Sequence, residues 1–548
     1  MEAEPDADVA VESAAEAVMR DGTVLRADVY RPAAGSGPRP VLLARGPYGR
    51  GDAGILARLD PWAAVRRGYL VVVQDTRGRF GSDGEWEPLV HDRDDGYDTV
   101  RWAARLPGAD GRVAMYGPSY FGHAQWAAAA AAPPELAAVL PEFTWSDPYD
   151  GLVARGGVPE RGLLTQWTLG LGFDVLRRRY AAATPERRRA LGEWADALSA
   201  LHARAGAAPA AWAPPILREL PVPGRPGGPA LRPVFDGPAA RPRLPALTVA
   251  GWYDAFLQGS LDHHVLARAG GGPAALVVGP WTHEDRTARI GDSDFGPGAD
   301  QAAIDGGASL LDRELDWLDG VLGRTATTGE AAAEPPVLVL VMGVNVWRRL
   351  DRWPPEAVGT EWFLHSDGVL STRPPAPDEA PDSFAHDPAD PAPVRGGALL
   401  LTAAYPAGPF DQRPVEARRD VLVFTGAPLA EPLEVIGRIR VVLTVAASAG
   451  PADWVARLCD VAPDGTSVNL TDGVVRAAGL GPAEVAVDLW STAHVFRPGH
   501  RLRLQVAAAG HPRWECASPA AVRTVFHDAG RPSRIVLPVV GPAGLTRR

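Results

Sequence analysis

The chain reads as an α/β domain built on a parallel sheet, interrupted by a helical insertion and followed by an all-β domain. Three features of the sequence predict this. Strand-like apolar runs alternate with helical stretches up to about Phe143, and again between Leu247 and Leu322. Strand patterns vanish between Trp145 and Arg243. Beyond Pro336, strands follow one another with only turns between them. A length of 548 residues suits two to four domains.

Residues 41–43 and 69–74 are short apolar runs and read as strands. Residues 91–106 read as a helix with Val100 and Ala103 on one face. Its first turn carries Asp92, Asp94 and Asp95, which suit the positive end of the helix dipole. A strand at 113–116 leads through a glycine-bounded turn into an alanine-rich helix at about 120–132. Residues 175–201 carry helical spacing and residues 207–245 are loaded with proline and glycine, which makes a helical cap with an irregular return. Strands resume at 247–250 and 275–278, and a helix over about 303–322 closes this part. Residues 326–336 read as a linker. Strands are then expected at 337–342, 361–365, 420–425, 437–445, 454–460, 483–489 and 502–507, the pattern of a two-sheet jelly roll, with the proline-rich residues 376–393 as a surface loop. The expected domains are residues 1–144 with 244–325, a cap over 145–243, and a β-sandwich over 336–548.

Composition narrows the function. A net charge of −11 without any basic tract argues against a nucleic-acid partner. The 55 cationic side chains are all arginine and are scattered, which we read as the codon bias of a high-GC bacterial genome. Two cysteines, Cys459 and Cys516, make neither a disulfide framework nor a metal cluster. Residues 1–18 are acidic and alanine-rich and do not look like a signal peptide, and no long apolar stretch suggests a membrane span. The expectation is a cytoplasmic protein with no membrane partner.

The strongest chemical signal is Gly117-Pro118-Ser119-Tyr120-Phe121-Gly122, between a β-rich run and a helix. A serine at a strand-to-helix turn is lifted above the sheet edge, over the helix N-terminus. The general nucleophile-elbow pattern puts glycine two residues after the serine; here that position is Phe121 and the glycine comes one later. Two further strands end in chemistry-bearing residues: one runs to Gly251-Trp252-Tyr253-Asp254, the other to Gly279-Pro280-Trp281-Thr282-His283. The chain order Ser, Asp, His is that of α/β-hydrolases, and all three follow the carboxyl ends of strands, where open α/β sheets bind ligands. His263-His264 has no third ligand nearby in sequence, His123 reads as a helix residue, and Asp75 with Arg77 reads as a structural ion pair.

These three motifs resemble the cocaine esterase family, the esterase and acylase branch of the X-Pro dipeptidyl-peptidase clan. Asp28-Val29-Tyr30-Arg31-Pro32, Gly46-Pro47-Tyr48, Asp75-Thr76-Arg77-Gly78 and Asp94-Asp95-Gly96-Tyr97-Asp98 are similar too, and the likeness spans essentially the whole chain. It implies an α/β-hydrolase domain with a helical cap and a C-terminal jelly roll, in agreement with the boundaries above. It implies further that the Tyr48 phenol joins the Tyr120 main-chain N–H as the second oxyanion donor; the residues alone leave Tyr48 open between packing and catalysis. In the α-amino-acid ester hydrolases of this family, part of a carboxylate cluster that receives the substrate ammonium lies two and three residues after the catalytic aspartate. Phe256 and Leu257 stand there in this chain, which implies neutral acyl groups.

The expected activity is hydrolysis of small esters, or amides, with Ser119 as nucleophile, His283 as general base and Asp254 as its orienting acid. Phe256, Trp145, Trp167 and Trp281 are candidates for the acyl pocket. No cofactor and no metal are expected. A homodimer is the working assumption. The rivals are an Xaa-Pro dipeptidyl peptidase, which in the clan is generally longer through an extra N-terminal domain, and a non-catalytic protein with a vestigial triad that binds carbohydrate or a partner.

Overall fold

A computed structural model describes residues 8–541 apart from residues 36, 181, 183, 203–211, 238–240 and 325–335. Among the described residues, ten strands make one mixed sheet in the spatial order β1-β2-β4-β3-β5-β6-β7-β8-β9-β10. They are β1 (Val9–Val18), β2 (Val24–Pro32), β3 (Arg39–Gly46), β4 (Leu70–Asp75), β5 (Ala109–Pro118), β6 (Leu136–Glu142), β7 (Ala246–Tyr253), β8 (Ala274–Thr282), β9 (Val337–Val341) and β10 (Val346–Leu350). From β4 to β9 neighbouring strands run parallel, with antiparallel partners at both edges. Every residue of β4 and of β7 is buried, as expected where helices cover both faces of a sheet.

The expected strands and helices of this half are present, with four differences. The closing helix expected from about 303 begins at Leu310 and runs to Val321, capped by the Ser309 hydroxyl. The stretch at 175–201 is two helices, α5 (Arg161–Arg179) and α6 (Pro185–His202). Pro185 lacks the N–H that a continuing helix would need and sits instead in the first turn of α6. The strand at 337–342, expected in the β-rich domain, is β9 and pairs in parallel with β8, Leu276 opposite Val337. Its five apolar residues are all buried, the mark of a strand covered on both faces rather than of an alternating sandwich strand. The sheet of the first domain thus reaches Leu350. Residues 8–18, read only for their composition, supply the edge strand β1. The expected linker lies, except for Pro336, outside the described residues.

The C-terminal domain is all β. Eleven strands from Val358–His365 to Arg534–Val539 form one sheet rolled around a single core that includes Leu364, Phe424, Ile439, Trp454, Leu489 and Ile535. The proline-rich segment expected to be a loop contains the strand Asp382–His386, paired with Ala521–Phe526.

The cap is tied to this domain by a buried ionic network. Arg513 donates to Asp472 at 2.8 Å and to Glu160 at 3.3 Å, and the Trp514 indole donates to Glu160 at 2.9 Å. Arg155 donates to the Asp472 carbonyl oxygen at 2.6 Å. Burial raises the Glu160 carboxyl above its usual pKa, against the pull of the two arginines. Asp75 and Arg77 do not pair with each other: Asp75 is held by Arg50 and Arg77 by Asp95, because the two side chains leave the β4 end toward different elements. No helix among the described residues is long and apolar enough to cross a membrane.

Candidate active site

β5 ends at Pro118, and Ser119 makes the turn into α4 (Tyr120–Ala131) with φ 61° and ψ −123°. That left-handed conformation is strained for a residue with a Cβ, and such strain concentrates at functional turns. The Ser119 N–H donates to the Glu142 carbonyl oxygen at 2.9 Å, which ties the elbow to the end of β6. The shifted glycine has a steric reason. A Cβ on Gly122 would stand 2.8 Å from Thr144 Cβ, so this position must be glycine for α4 to approach the chain after β6.

Asp254 follows β7 and His283 follows β8. His283 Nδ1 and Asp254 Oδ1 are 2.6 Å apart, and both side chains are buried. The other carboxylate oxygen, Oδ2, accepts the Phe256 N–H at 2.8 Å, which fixes the plane of the acid. Ser119 and His283 line one cavity of about 360 Å³. The Ser119 hydroxyl is hydrogen-bonded to Tyr48 Oη at 3.3 Å. No direct hydrogen bond joins Ser119 to His283 among those described; such bonds commonly tighten only in the Michaelis complex.

Tyr48 follows β3, so its ring reaches the elbow from the neighbouring strand. Burial pushes the phenol above its usual pKa, against hydrogen bonds shared with Ser119, the Trp167 side chain and the Tyr120 main chain. It therefore stays protonated, and a donor, at neutral pH. The Tyr120 ring is held from behind, its hydroxyl donating to Asp92 at 2.6 Å and accepting the Leu89 N–H at 2.9 Å. His123 stacks on Trp145 at 5.3 Å, and burial lowers its pKa; it is packing behind the elbow.

The four aromatic candidates divide. Trp167 lines the cavity. Phe256 and Trp145 form an apolar cluster with Tyr120, Leu163 and Leu164; Phe256 meets the His283 ring edge-on at 5.2 Å and Trp145 at 4.9 Å. Trp281 is fully buried in the main core, with its indole N–H on the Ala299 carbonyl oxygen at 2.7 Å and its ring against Gly279. It is no part of the cavity wall.

Sequence reasoning missed six cavity residues: Asp52, Gly54, Ile55, Arg58, Glu284 and Leu400. Arg58 donates to the His283 carbonyl oxygen at 2.6 Å and pairs with Glu284 at 3.2 Å, so it clamps the histidine loop. Arg286, three residues after His283, pairs with Glu142 at 2.5 Å and lies over Phe143 at 4.4 Å, which links the same loop to β6. Leu400 comes from the C-terminal half; the apolar run Ala398-Leu399-Leu400-Leu401 inside a polar loop region was its only signal.

The sequence profile of the X-Pro dipeptidyl-peptidase (S15) family matches residues 21–285. The profile of the X-Pro dipeptidyl-peptidase C-terminal non-catalytic domain matches residues 330–535. A cocaine esterase from Rhodococcus sp. (strain MB1 Bresler) is 34% identical over 577 residues, covering 95% of this chain and 97% of its own. Among solved structures, an aminopeptidase from a marine sediment Thaumarchaeota archaeon superposes with a TM-score of 0.76 at 24% identity over 97% of both chains. An α-amino acid ester hydrolase does so with 0.74 at 23% identity, also over 97% of both. At these identities the two structures show a shared fold.

Proposed function

The chain belongs to the cocaine esterase family of the X-Pro dipeptidyl-peptidase clan and is a serine ester hydrolase; from that premise we propose that it cleaves neutral carboxylic esters through an acyl-enzyme on Ser119. The observation that carries this reading is the buried 2.6 Å bond between His283 and Asp254, facing a strained Ser119 in one cavity. His283 takes the serine proton as Oγ attacks the ester carbonyl carbon. Asp254 holds the imidazole tautomer and stabilises its cation. The tetrahedral oxyanion is received by the Tyr48 phenol and the Tyr120 N–H. His283 then protonates the departing alkoxide oxygen, and water, activated by the same histidine, releases the acid.

A fluorophosphonate probe should label Ser119 in the wild type and leave Ser119→Ala unlabelled. The variant should lose activity on an aryl ester by a factor on the order of 10⁶. Retention of more than about a tenth of the rate would overturn the assignment, because a triad nucleophile has no substitute. The S15 match also favours a second reading, cleavage after Xaa-Pro. A chromogenic Xaa-Pro anilide turned over faster than the aryl ester would select it.

A further inference from the structure

We propose that the cavity beyond Tyr48 is an acyl subsite that admits elongated, uncharged acyl groups ending in an aromatic or other apolar group. The proposal rests on the esterase reading and adds the substrate class. This second cavity, of about 540 Å³, shares Tyr48 and Asp52 with the one that holds Ser119. Helix α5 borders both: Trp167 faces the first, and Gly170, Leu171, Phe173 and Asp174 face the second. The two therefore lie side by side along the cap helix, with Tyr48 and Asp52 shared between them.

The chemistry of the reaction orients a substrate across the two cavities. The leaving oxygen must meet His283, which protonates it. His283, Glu284 and Arg58 line only the Ser119 cavity. The alcohol is thus held at that end, and the space past Tyr48 is open to the acyl part.

The walls define what fits. Phe80 and Phe173 are 36% and 49% exposed, unusual for rings of this size, and they flank the second cavity together with Leu171. Phe80 has φ 42°, a strained value for a residue with a Cβ. It is held there from the cap: its N–H donates to Asp174 at 3.0 Å and its carbonyl oxygen accepts from Arg178 at 2.7 Å. Its ring rests on Gly49, where an added Cβ would stand 3.1 Å from Cζ. The charged residues around the cavity already have partners, side chains for most and the helix main chain for Asp52. Arg50 pairs with Asp28 at 2.8 Å and Asp75 at 2.5 Å, Arg79 lies 3.6 Å from Asp174, and Asp52 caps the helix Ala53–Leu59. A charged acyl group would gain no free counter-charge there, whereas an apolar one would cover two exposed rings.

Gly170→Phe tests this with little risk to the fold, since a Cβ at Gly170 meets no atom within 4 Å and the position is helical. The substrates are p-nitrophenyl acetate and p-nitrophenyl 4-phenylbutanoate, with one leaving group. The variant should lose about tenfold or more in kcat/KM on the phenylbutanoate and stay within about twofold on the acetate. Phe173→Ala should shift the same ratio in the same direction by about threefold. An unchanged ratio in both variants overturns the proposal. So does an effect that follows the alcohol in a series of acetates, because the cavity would then hold the leaving group. Failure of the wild type to turn over any ester would instead remove the esterase reading, and the subsite with it.

Discussion

The ring of Phe121 lies against Gly46 so closely that a Cβ on the glycine would stand 2.7 Å from both Cε1 and Cζ. This contact explains how the elbow tolerates a large residue two positions after Ser119. Phe121 fills the space between the elbow and the β3 end, where Gly46 has no side chain to contest it.

Gly46→Ala should therefore force the ring or the β3 end to shift. Overpacking of this kind costs about 1–3 kcal/mol. Gly46 precedes Tyr48 by two residues and Phe121 follows Ser119 by two, so the 3.3 Å Tyr48–Ser119 contact should be disturbed as well. The expected result is a lower urea midpoint and a loss in kcat/KM of about tenfold. Phe121→Ala placed on the Gly46→Ala background should restore part of both. Wild-type values for the single variant would mean that the contact is not tight.

Tyr48→Phe removes only the hydroxyl and keeps the ring. If the phenol receives the oxyanion, kcat should fall by roughly 10²–10³, the usual loss for one such donor, with little change in stability. Steady-state kinetics on one aryl ester decide it. A change confined to KM would make Tyr48 a binding residue and leave the second donor unidentified.

The site was legible in the sequence where its chemistry is local. Ser119, Asp254 and His283 each sit just past a short apolar run, and strand ends of this kind can be read from a few residues. Tyr48 was not legible in that way, because its role depends on β3 lying beside β5, and it entered through family resemblance. Trp281 was misread as pocket because sequence shows a tryptophan two residues before the histidine but not the glycines at 251 and 279 that make room for it in the core. Leu400 and β9 share a cause: each belongs to a partner distant in sequence, Leu400 to the Ser119 cavity and Val337 to Leu276, and nothing local marks the partner. Even so, the unbroken run Val337-Leu338-Val339-Leu340-Val341 carried the sign of a doubly covered strand.

His263 and His264 should make the protein acid-sensitive. Both lie buried on the helix Leu257–Gly270, with the His263 ring 4.7 Å from Trp126 and 6.2 Å from Phe235. Burial lowers their pKa values from 6.5 to about 3 and about 4. Between those values and 6.5 the unfolded chain binds protons that the folded chain does not, so stability falls as pH drops through this window and is fully present above it. His263→Phe keeps an aromatic ring against Trp126 and deletes one of the two groups. The thermal midpoint of the variant, followed from pH 7 to 4, should decline less steeply than that of the wild type. Parallel curves would show that His263 does not titrate differently on unfolding.

The acyl group should be neutral, for a reason that lies next to Asp254, the proposed orienting acid. In the α-amino-acid ester hydrolases that the chain resembles, part of a carboxylate cluster lies two and three residues after the corresponding aspartate; Phe256 and Leu257 stand there in this chain, and both are buried, at 2% and 1% exposure. The two carboxylates at the cap junction are engaged elsewhere. Asp147 accepts the Tyr149 N–H at 2.8 Å, and Asp150 accepts the Trp490 indole N–H at 3.2 Å and lies 3.7 Å from Arg438. An ammonium brought against Phe256 would lose hydration without gaining a counter-charge. A phenylacetyl ester should thus exceed a phenylglycyl ester with the same leaving group by at least about tenfold in kcat/KM, at a pH where the amine is charged. The gap should narrow as the pH rises through the amine pKa and the substrate loses its charge. Equal turnover at the lower pH would mean that a carboxylate serves the ammonium, either Asp52 or Glu284 of the Ser119 cavity or Asp150 by rearrangement of the cap junction, and Asp52→Asn, Glu284→Gln and Asp150→Asn would tell which.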